Sequence, residues 1–532
     1  MKKILLLLTL ITNICCAQMG EWTWMNGPST ANQAAVYGTL SVFDPANRPP
    51  SSYEACQWTD HQGFFWLFGG LGTYNDDLWK FDPSINQWAW IKGPGVANQA
   101  GVYGTFQVPS SANNPGGRGY GEITWTDIFN NLWMYGGYGK DVNNSEGFLG
   151  DLWKYDIATN EWTWMSGADT ISTVPAYGTL GIPDPANTPG GRCECNAAWV
   201  DGNNNLWLYG GDVNLNADRA GDLWMYNTAI NEWVWMSGTT SLNAMPVWGT
   251  KGVPNSANMP GGRFCYTSWK SCDGDFWMFG GSGYNDMWRF NIASNMWTWM
   301  SGTSTIGATG ISNADCVPDT GNIPEGKTEN RACWTLPGNN FVNYGGDFFS
   351  DLWNFNSVTL EWTLMNGQPN TSANPNFGTI LVSSPANTPG DRGGALGFKD
   401  NDGNLWLFGG FGFMGYYNDM WKFVLDTTCP VITVCPGKGT NITETSGNPE
   451  ISIYPNPNNG TFTIDNLHAL GTGVIYELQI TDVLGRIIFS SNNITNNKET
   501  FTLPLSNGIY FLIIFAGDKT YNRKLIINNS ER

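Results

Sequence analysis

The sequence is poor in basic residues and in histidine. Of its 532 residues, 26 are lysine or arginine and 45 are aspartate or glutamate, which gives a formal net charge of −19. An acidic chain repels phosphate backbones, and this argues against a nucleic acid as partner. Only two histidines occur, His61 and His468, so catalysis by a Ser-His-Asp or Cys-His set is excluded from most of the chain. No apolar run after residue 17 is long enough to span a membrane as a helix.

Residues 1–17 are predicted to be a signal peptide. Lys2 and Lys3 precede an apolar stretch from Ile4 to Ile14, and small residues stand before Gln18. Lipidation of Cys16 is the alternative interpretation. The nine later cysteines would meet an oxidising compartment, where three pairs are candidates for disulfides: Cys265 with Cys272, Cys316 with Cys333, and Cys429 with Cys435.

A long internal repeat dominates the rest of the chain. Gly-Gly pairs begin at residues 69, 136, 210, 280, 345 and 409, spaced by 64 to 74 residues. Each pair follows an aromatic run and precedes Asp-Leu-Trp or Asp-Met-Trp, and strings such as "NEWTWMSG" (160–167) come next. Every unit therefore holds four short apolar runs bounded by turn residues, which is typical of four antiparallel strands. Six such units predict a β-propeller.

These motifs resemble kelch repeats, which also form the central domain of proteins similar to galactose oxidase. The resemblance covers roughly residues 20–425. It implies an all-β fold with a six-bladed propeller of kelch type. The first copy, "GEWTWMNG" (20–27), lacks three preceding runs, while the last unit ends at "DMWKF" (419–423) without a fourth. We therefore predict that the N-terminal strand closes the ring as the outer strand of blade six.

The many tryptophans suggest carbohydrate stacking, but their positions favour packing. Of the 28 tryptophans, 27 occupy five positions that recur in the six units. A residue needed in every blade is better explained by contacts between blades than by one asymmetric ligand site. The repeated "YGT" and "PANTPGGR" strings in the long loops between units are likewise interpreted as a folded collar.

Charged residues near the predicted loops are the candidate ligand-binding residues. Arginines before the first strand of a blade would crowd the channel mouth and could clamp a carboxylate or sulfate, although structural pairing is the competing interpretation. Enlarged acidic loops in blades two and three would build up one side of the rim. The ligand-binding candidates are Arg118, Arg192, Arg263, Arg331, Arg392, Asp141 and Glu146.

One enlarged loop, "DVNLNAD", carries oxygen-bearing side chains at every second position. Asp212, Asn214, Asn216 and Asp218 could bind Ca²⁺, while a polar solvated loop is the alternative. We expect no other cofactor. Copper chemistry like that of galactose oxidase needs histidine ligands that the propeller lacks. Carboxylate-pair catalysis stays open, because Glu54, Glu122 and Glu194 precede or begin innermost strands.

The chain ends in a second predicted domain, a small β-sandwich. "YPNPNNGTFTI" (454–464), "ITDVLGR" (480–486), "LSNGIYFLII" (505–514) and "KLII" (524–527) together resemble a type A sorting domain of the type IX secretion system. This resemblance implies export, with the secretion machinery as partner, to the outer-membrane surface or the medium. The predicted organisation is a signal peptide (1–17), a propeller (18–426), a linker (427–450) and a sorting domain (451–532).

The predicted function is non-catalytic binding of a glycan or protein outside the cell. The alternatives are a sugar-processing enzyme similar to epimerases or mutarotases on a kelch scaffold, and a structural surface protein. The sequence names neither the ligand nor the oligomeric state.

Overall fold

The computed structural model describes residues 20–70, 74–194, 197–346, 349–425, 451–456, 459–470, 476–482, 487–503, 508–516 and 519–527. The predicted signal peptide, linker and Cys429–Cys435 pair lie outside these residues. The chain divides into two compact units, Met1–Val434 and Cys435–Arg532. No helix in the described part is long and apolar enough to cross a membrane.

The first unit consists mainly of six four-stranded antiparallel sheets. Strand β1 is Gly20–Asn26, and blade one follows with β2 (Cys56–Thr59), β3 (Phe65–Phe68), β4 (Leu78–Asp82) and β5 (Gln87–Lys92). After β6 (Arg118–Gly119), blade two begins with β7 (Ile123–Thr126) and β8 (Leu132–Tyr135). Between its halves come β9 (Tyr138–Lys140) and β10 (Glu146–Phe148), which pair with each other, and β9 also pairs with β6. Blade two ends with β11 (Leu152–Asp156) and β12 (Glu161–Ser166).

The remaining blades repeat the four-stranded pattern. Blade three has β13 (Ala197–Val200), β14 (Leu206–Asp212), β15 (Arg219–Asn227) and β16 (Glu232–Thr239). Blade four has β17 (Thr267–Lys270), β18 (Phe276–Phe279), β19 (Met287–Asn291) and β20 (Met296–Ser301). Blade five has β21 (Cys333–Leu336), β22 (Asn340–Tyr344), β23 (Leu352–Asn356) and β24 (Glu361–Asn366). Blade six has β25 (Leu396–Lys399), β26 (Leu405–Gly412) and β27 (Gly415–Leu425).

The N-terminal strand completes blade six. Strand β1 pairs antiparallel with β27, so that Trp22 lies opposite Phe423. The first strands of the blades contact one another in a closed order, β2–β7–β13–β17–β21–β25 and back to β2. These contacts form the ring of a β-propeller. The predicted all-β propeller fold is confirmed, and the N-terminal strand pairs with the last strand of the ring as predicted.

The repeated tryptophans lie between the sheets. The twelve largest fully buried side chains are all tryptophans of the repeat. In five blades the first-strand tryptophan donates its indole N–H to a backbone carbonyl of the next blade, at 2.7 to 3.2 Å; the donors are Trp58, Trp125, Trp199, Trp269 and Trp334. A buried indole needs such a partner. These contacts join neighbouring blades, which is the packing role that the repeat indicates.

The long loops between units cover the outer edges of the blades. One asparagine in each loop donates its amide to a tryptophan carbonyl on the outermost strand at 2.9 to 3.1 Å; the six are Asn47, Asn113, Asn187, Asn258, Asn322 and Asn387. Each loop also makes a backbone bridge to that strand. An open strand edge invites pairing with another chain. The shared part of the loops therefore protects edges, as a folded collar would.

The second unit contains two facing sets of strands. Its elements are β28 (Ser452–Tyr454), β29 (Thr461–Asp465), a 3₁₀ helix (Leu467–Leu470), β30 (Tyr476–Asp482), β31 (Ile487–Ile494), β32 (Lys498–Thr502), β33 (Gly508–Ala516) and β34 (Lys519–Ile527). The sheets run β28–β29–β32 and β31–β30–β33–β34. Phe462, Ile464, Ile480 and Leu512 belong to the shared apolar core. This is the predicted β-sandwich.

Candidate functional site

Four of the predicted arginines are buried in ion pairs within their own blades. Arg192 illustrates the arrangement: its guanidinium donates to both oxygens of Asp222 at 2.9 and 3.2 Å and to the Gly210 carbonyl at 2.9 Å. Tyr177 and Trp224 also donate to Asp222. Equivalent pairs are Arg118–Asp151, Arg263–Asp286 and Arg392–Asp419, all with fully buried side chains. These four arginines are thus partners in structural ion pairs, which is the competing interpretation named above. Their donors are directed at aspartates inside the protein and not at a ligand.

Blade five departs from this arrangement. Lys327 takes the place of the arginine and contacts Asp351 and Glu325. Its string "PEGK" (324–327) parallels "PGGR" (189–192), a signal that sequence reasoning missed. Because Lys327 pairs with Asp351, Arg331 does not take part in that ion pair. It lies near the axis and is 7 % exposed. Its Nη2 donates to the Glu122 carbonyl at 3.0 Å, and its buried Nη1 has no partner within the described residues.

The two acidic candidates of blade two lie in the β9–β10 hairpin. Asp141 is buried and accepts backbone N–H groups from Asn143 and Ser145 at 2.8 Å, which closes the turn. Glu146 is exposed and pairs with Lys140 at 3.0 Å. The structure does not bring these side chains together with Arg331.

The candidate calcium loop holds its own side chains by amide contacts. Asp218 accepts N–H groups from Asn214 at 2.9 Å and from Asn243 at 2.6 Å. Asp212 lies 3.9 Å from Arg219, and Asn216 is exposed. Amide donors already occupy oxygens that Ca²⁺ would need as ligands, and this arrangement favours the alternative of a polar loop.

One residue from each blade lies at the axis with a left-handed backbone. Their φ angles lie between 50° and 64°, and five of the six are not glycine; they are Glu54, Tyr120, Glu194, Cys265, Glu329 and Gly394. This conformation costs roughly 1–2 kcal/mol for a residue with a Cβ, and it persists only where the surroundings fix it. Neighbouring blades supply that support, because the N–H of Glu54 donates to Gly394 and that of Cys265 to Glu194.

The ring brings a thiol and three carboxyl groups together, here called the axial cluster: Glu54, Glu194, Cys265 and Glu329. Cys265 Sγ lies 3.3 Å from Glu194 Oε2, 3.4 Å from Glu329 Oε1 and 3.9 Å from Glu54 Oε1. The Tyr53 hydroxyl donates to Glu329 Oε2. Within the described residues, Glu54, Cys265 and Glu329 are the group of His, Cys, Asp or Glu side chains placed closely enough to share a metal ion.

Burial and nearby acidic groups raise the pKa of Glu54, Glu194 and Cys265. Desolvation and the nearby Glu329 carboxylate raise the pKa of Glu54 well above its ordinary value. The same two causes raise the pKa of Glu194 to about 8. Burial, with Glu329 and Glu194 close by, also raises the pKa of the Cys265 thiol. The Glu194 carboxyl can therefore hold and release a proton near neutral pH.

Two predicted disulfides are wrong because a strand or a whole blade separates the cysteines. Cys265 is a free thiol, and β17 lies between it and Cys272. Four strand residues span roughly 13 Å, beyond the reach of a disulfide. Cys333 is also a free thiol and donates to the Ser268 carbonyl at 3.4 Å on the inner strand. Cys316 binds the outer strand instead, where its N–H donates to Leu364.

A cavity of about 230 Å³ is lined by residues of the innermost strands. Polar residues supply much of the lining, among them Gln57, Thr124 and Ser268, with Glu122 and Arg331. Glu122 is 1 % exposed, and neither of its carboxylate oxygens has a hydrogen-bond partner within the described residues. Burial raises the pKa of Glu122 to about 7 against the opposing effect of Arg331. The sequence predicts that Glu54, Glu122 and Glu194 lie near the axis, and all three do so in the structure.

Partly exposed aromatic rings adjoin the axial cluster, here called the aromatic rim: Tyr53, Tyr74, Tyr120, Tyr138, Phe411 and Tyr416. Phe411 and Tyr416 have centroids 5.1 Å apart, and Tyr53 lies 6.2 Å from Tyr416. Tyr120 and Tyr138 are 5.8 Å apart. All six come from blades six, one and two, which are neighbours in the ring. Sequence reasoning missed the rim because it concentrated on tryptophan.

Glu122→Gln is expected to change how stability depends on pH. The raised pKa means that the folded state binds a proton more tightly than the unfolded state between pH 4.5 and about 7. The free energy of unfolding therefore falls as pH rises through this window. Glutamine cannot ionise, so the melting temperature of the variant should rise relative to the parent protein between these pH values and then stay level.

Thermal melts across this pH range measure the effect. Asp218→Asn is the control, because amide hydrogen bonds lower the pKa of that exposed carboxyl and its titration falls below the window. Parallel melting curves for Glu122→Gln and the parent protein would contradict the assignment.

The comparison with known families supports the sorting-domain interpretation of the second unit. Residues 452–528 match the family model of the secretion system C-terminal sorting domain. The predicted sorting domain is confirmed. Such a domain implies export and contact with the secretion machinery, and hence a surface or extracellular location. No curated protein matches the sequence.

Several solved structures resemble the chain at low identity. They include YjhT, with 12 % identity over 72 % of this chain and 95 % of that chain and a TM-score of 0.42. A fungal alcohol oxidase of the AA5 family, in complex with copper, has 12 % identity over 96 % of this chain and 100 % of that chain and a TM-score of 0.39. PorZ, a surface component of the type-IX secretion system of Porphyromonas gingivalis, has 13 % identity over 92 % of this chain and 53 % of that chain and a TM-score of 0.35. Likeness at this level assigns no function.

Proposed function

We propose that the protein is exported by the type IX route and binds a carbohydrate outside the cell through the aromatic rim and the axial cluster. The observation that carries this proposal is the position of partly exposed aromatic rings beside buried carboxyl groups. Aromatic faces stack on the C–H groups of a sugar ring, and carboxyl groups exchange hydrogen bonds with its hydroxyls. A concave site with apolar walls and a few convergent polar groups is typical of small-molecule binding.

The asymmetry of the rim supports one binding site rather than six. The scaffold repeats in every blade, whereas the rim residues come from three neighbouring blades. The β26–β27 hairpin of blade six extends to residues 412–415 and brings Phe411 and Tyr416 to Tyr53. Departures from the repeat on a rigid scaffold are where binding sites usually lie.

Phe411→Ala is expected to weaken carbohydrate binding about tenfold, which corresponds to about 1.4 kcal/mol. Phe411 is 45 % exposed and contacts other rim rings, so its removal costs stacking area with little loss of core packing. A glycan array on the secreted protein would identify a binding sugar, and calorimetry with that sugar would measure the affinity of each variant.

Phe129→Ala is the matched control. Phe129 is 73 % exposed in the β7–β8 turn, outside the rim, and its removal should leave the affinity unchanged. Equal losses for the two variants, or the absence of any binding glycan, would contradict the proposed function.

A second candidate function is proton transfer on a sugar. The pKa of Glu194, which burial and the nearby Glu329 raise to about 8, favours it, because catalytic acids and bases work best when their pKa lies near the operating pH. Proton NMR of the binding sugar with the protein would distinguish the two functions. Faster exchange or epimerisation in the presence of the protein would favour the enzyme, and unchanged spectra would favour binding alone.

A further inference from the structure

The sulfur–oxygen distances within the axial cluster are close to those of a metal site. The thiol sulfur lies 3.3, 3.4 and 3.9 Å from one oxygen of each of three carboxyl groups. A zinc ion takes sulfur at about 2.3 Å and carboxylate oxygen at about 2.0 Å, so the sulfur–oxygen edge of its tetrahedron is about 3.5 Å. Three of these side chains, Glu54, Cys265 and Glu329, offer ligand atoms that all lie within 4.8 Å of one another, which is close enough to share one ion. The Glu194 carboxyl adjoins them through its contact with the thiol.

When its carboxyl groups are ionised, this cluster is short of hydrogen-bond donors. A thiol carries one proton, yet Cys265 faces three carboxyl groups. Tyr53 donates to the second oxygen of Glu329. The Glu54 side chain is fully buried, and its Oε2 has no hydrogen-bond partner within the described residues. A buried carboxylate oxygen without a partner is costly, and a cation would supply what the protein donors do not.

The surroundings also hold the four groups in place. Each ligand comes from a different blade, and each sits on a left-handed residue of the ring. Glu194 and Glu329 are only partly buried, so the cluster can be reached from solvent. Arg331 brings one positive charge nearby, but no ion pair joins it to these carboxyl groups within the described part of the chain. Rigid elements that converge on one point are what a metal site requires.

We propose that Cys265, Glu54 and Glu329 bind one divalent transition-metal ion of the zinc class. The sulfur favours such an ion over Ca²⁺ or Mg²⁺, which prefer oxygen ligands only. Binding releases the thiol proton and the carboxyl protons to solvent, and the three deprotonated groups become the ligands. This inference goes beyond the proposed carbohydrate binding and does not rest on it.

Cobalt titration of the chelator-treated full-length protein tests the site directly. Co²⁺ is a spectroscopic substitute for Zn²⁺, and a thiolate ligand gives a charge-transfer absorption in the near ultraviolet. We expect this band to saturate at one Co²⁺ per chain and to disappear when Zn²⁺ displaces Co²⁺. Calorimetry with Zn²⁺ in buffers of different ionisation enthalpy should show proton release.

Matched thiol variants identify the ligand. Cys265→Ser should abolish the band and weaken Zn²⁺ binding at least tenfold, whereas Cys333→Ser should change neither, because Cys333 is a free thiol outside the cluster. Glu329→Gln serves as a second variant if Cys265→Ser fails to fold, and it should also weaken Zn²⁺ binding. The absence of the band, or its survival in Cys265→Ser, would overturn the proposal. Neither result depends on whether a glycan binds.

Discussion

Trp22→Ala is expected to lower the free energy of unfolding of the propeller by about 3–5 kcal/mol. Trp22 is fully buried on the strand that closes blade six. Its ring lies 5.0 Å from that of Phe423 in the same blade and 5.2 Å from that of Tyr344 in blade five. Its carbonyl also accepts the Asn387 amide at 3.0 Å. The substitution therefore leaves a cavity at the point where the two ends of the ring meet.

Denaturant unfolding followed by tryptophan fluorescence measures this effect. Val424→Ala is the matched control, because Val424 pairs with β1 in the same sheet but is 44 % exposed. Its loss should change the free energy of unfolding by less than about 0.5 kcal/mol. If both variants unfold like the parent protein, β1 does not hold the ring closed.

The scaffold could be predicted from the sequence because its determinants are local and repeated. In blade three, for example, the Asp-Leu-Trp string places Asp222 where Tyr177, Arg192 and Trp224 can all reach it. Six copies of such a string identify six sheets, and the incomplete first and last units identify the closure. The structural role of the buried arginines could not be fixed in the same way, because the sequence does not show which carboxylate faces each of them.

The axial cluster could be predicted only in part. Glu54 and Cys265 stand four residues before the first-strand aromatic of their blades, whereas Glu194 and Glu329 stand five before theirs. Because these offsets differ, an alignment of the repeats does not show that all four residues occupy the same left-handed position. The sequence predicts that Glu54 and Glu194 lie near the axis, but nothing in it indicates that Cys265 contacts them. That proximity comes from ring closure, which relates residues more than 200 positions apart.

Asp222→Ala is expected to destabilise the propeller by about 3–5 kcal/mol, because it leaves a charged guanidinium without a partner inside the protein. Asp222 is fully buried and accepts Arg192, the Tyr177 hydroxyl and the Trp224 indole. Urea unfolding would measure the loss. The double variant Arg192→Met with Asp222→Ala should recover part of it, since the unpaired charge is then removed as well.

Lys140→Ala is the control that isolates the effect of burial. The Lys140–Glu146 pair is 3.0 Å long and the Arg192–Asp222 pair 2.9 Å, so their geometry is nearly the same. The lysine and glutamate side chains are 17 % and 38 % exposed, whereas those of the arginine pair are fully buried. Loss of the partly exposed pair should cost at most about 1 kcal/mol. Similar losses for both variants would mean that burial does not make the repeated Arg–Asp pairs more important for stability than a partly exposed pair.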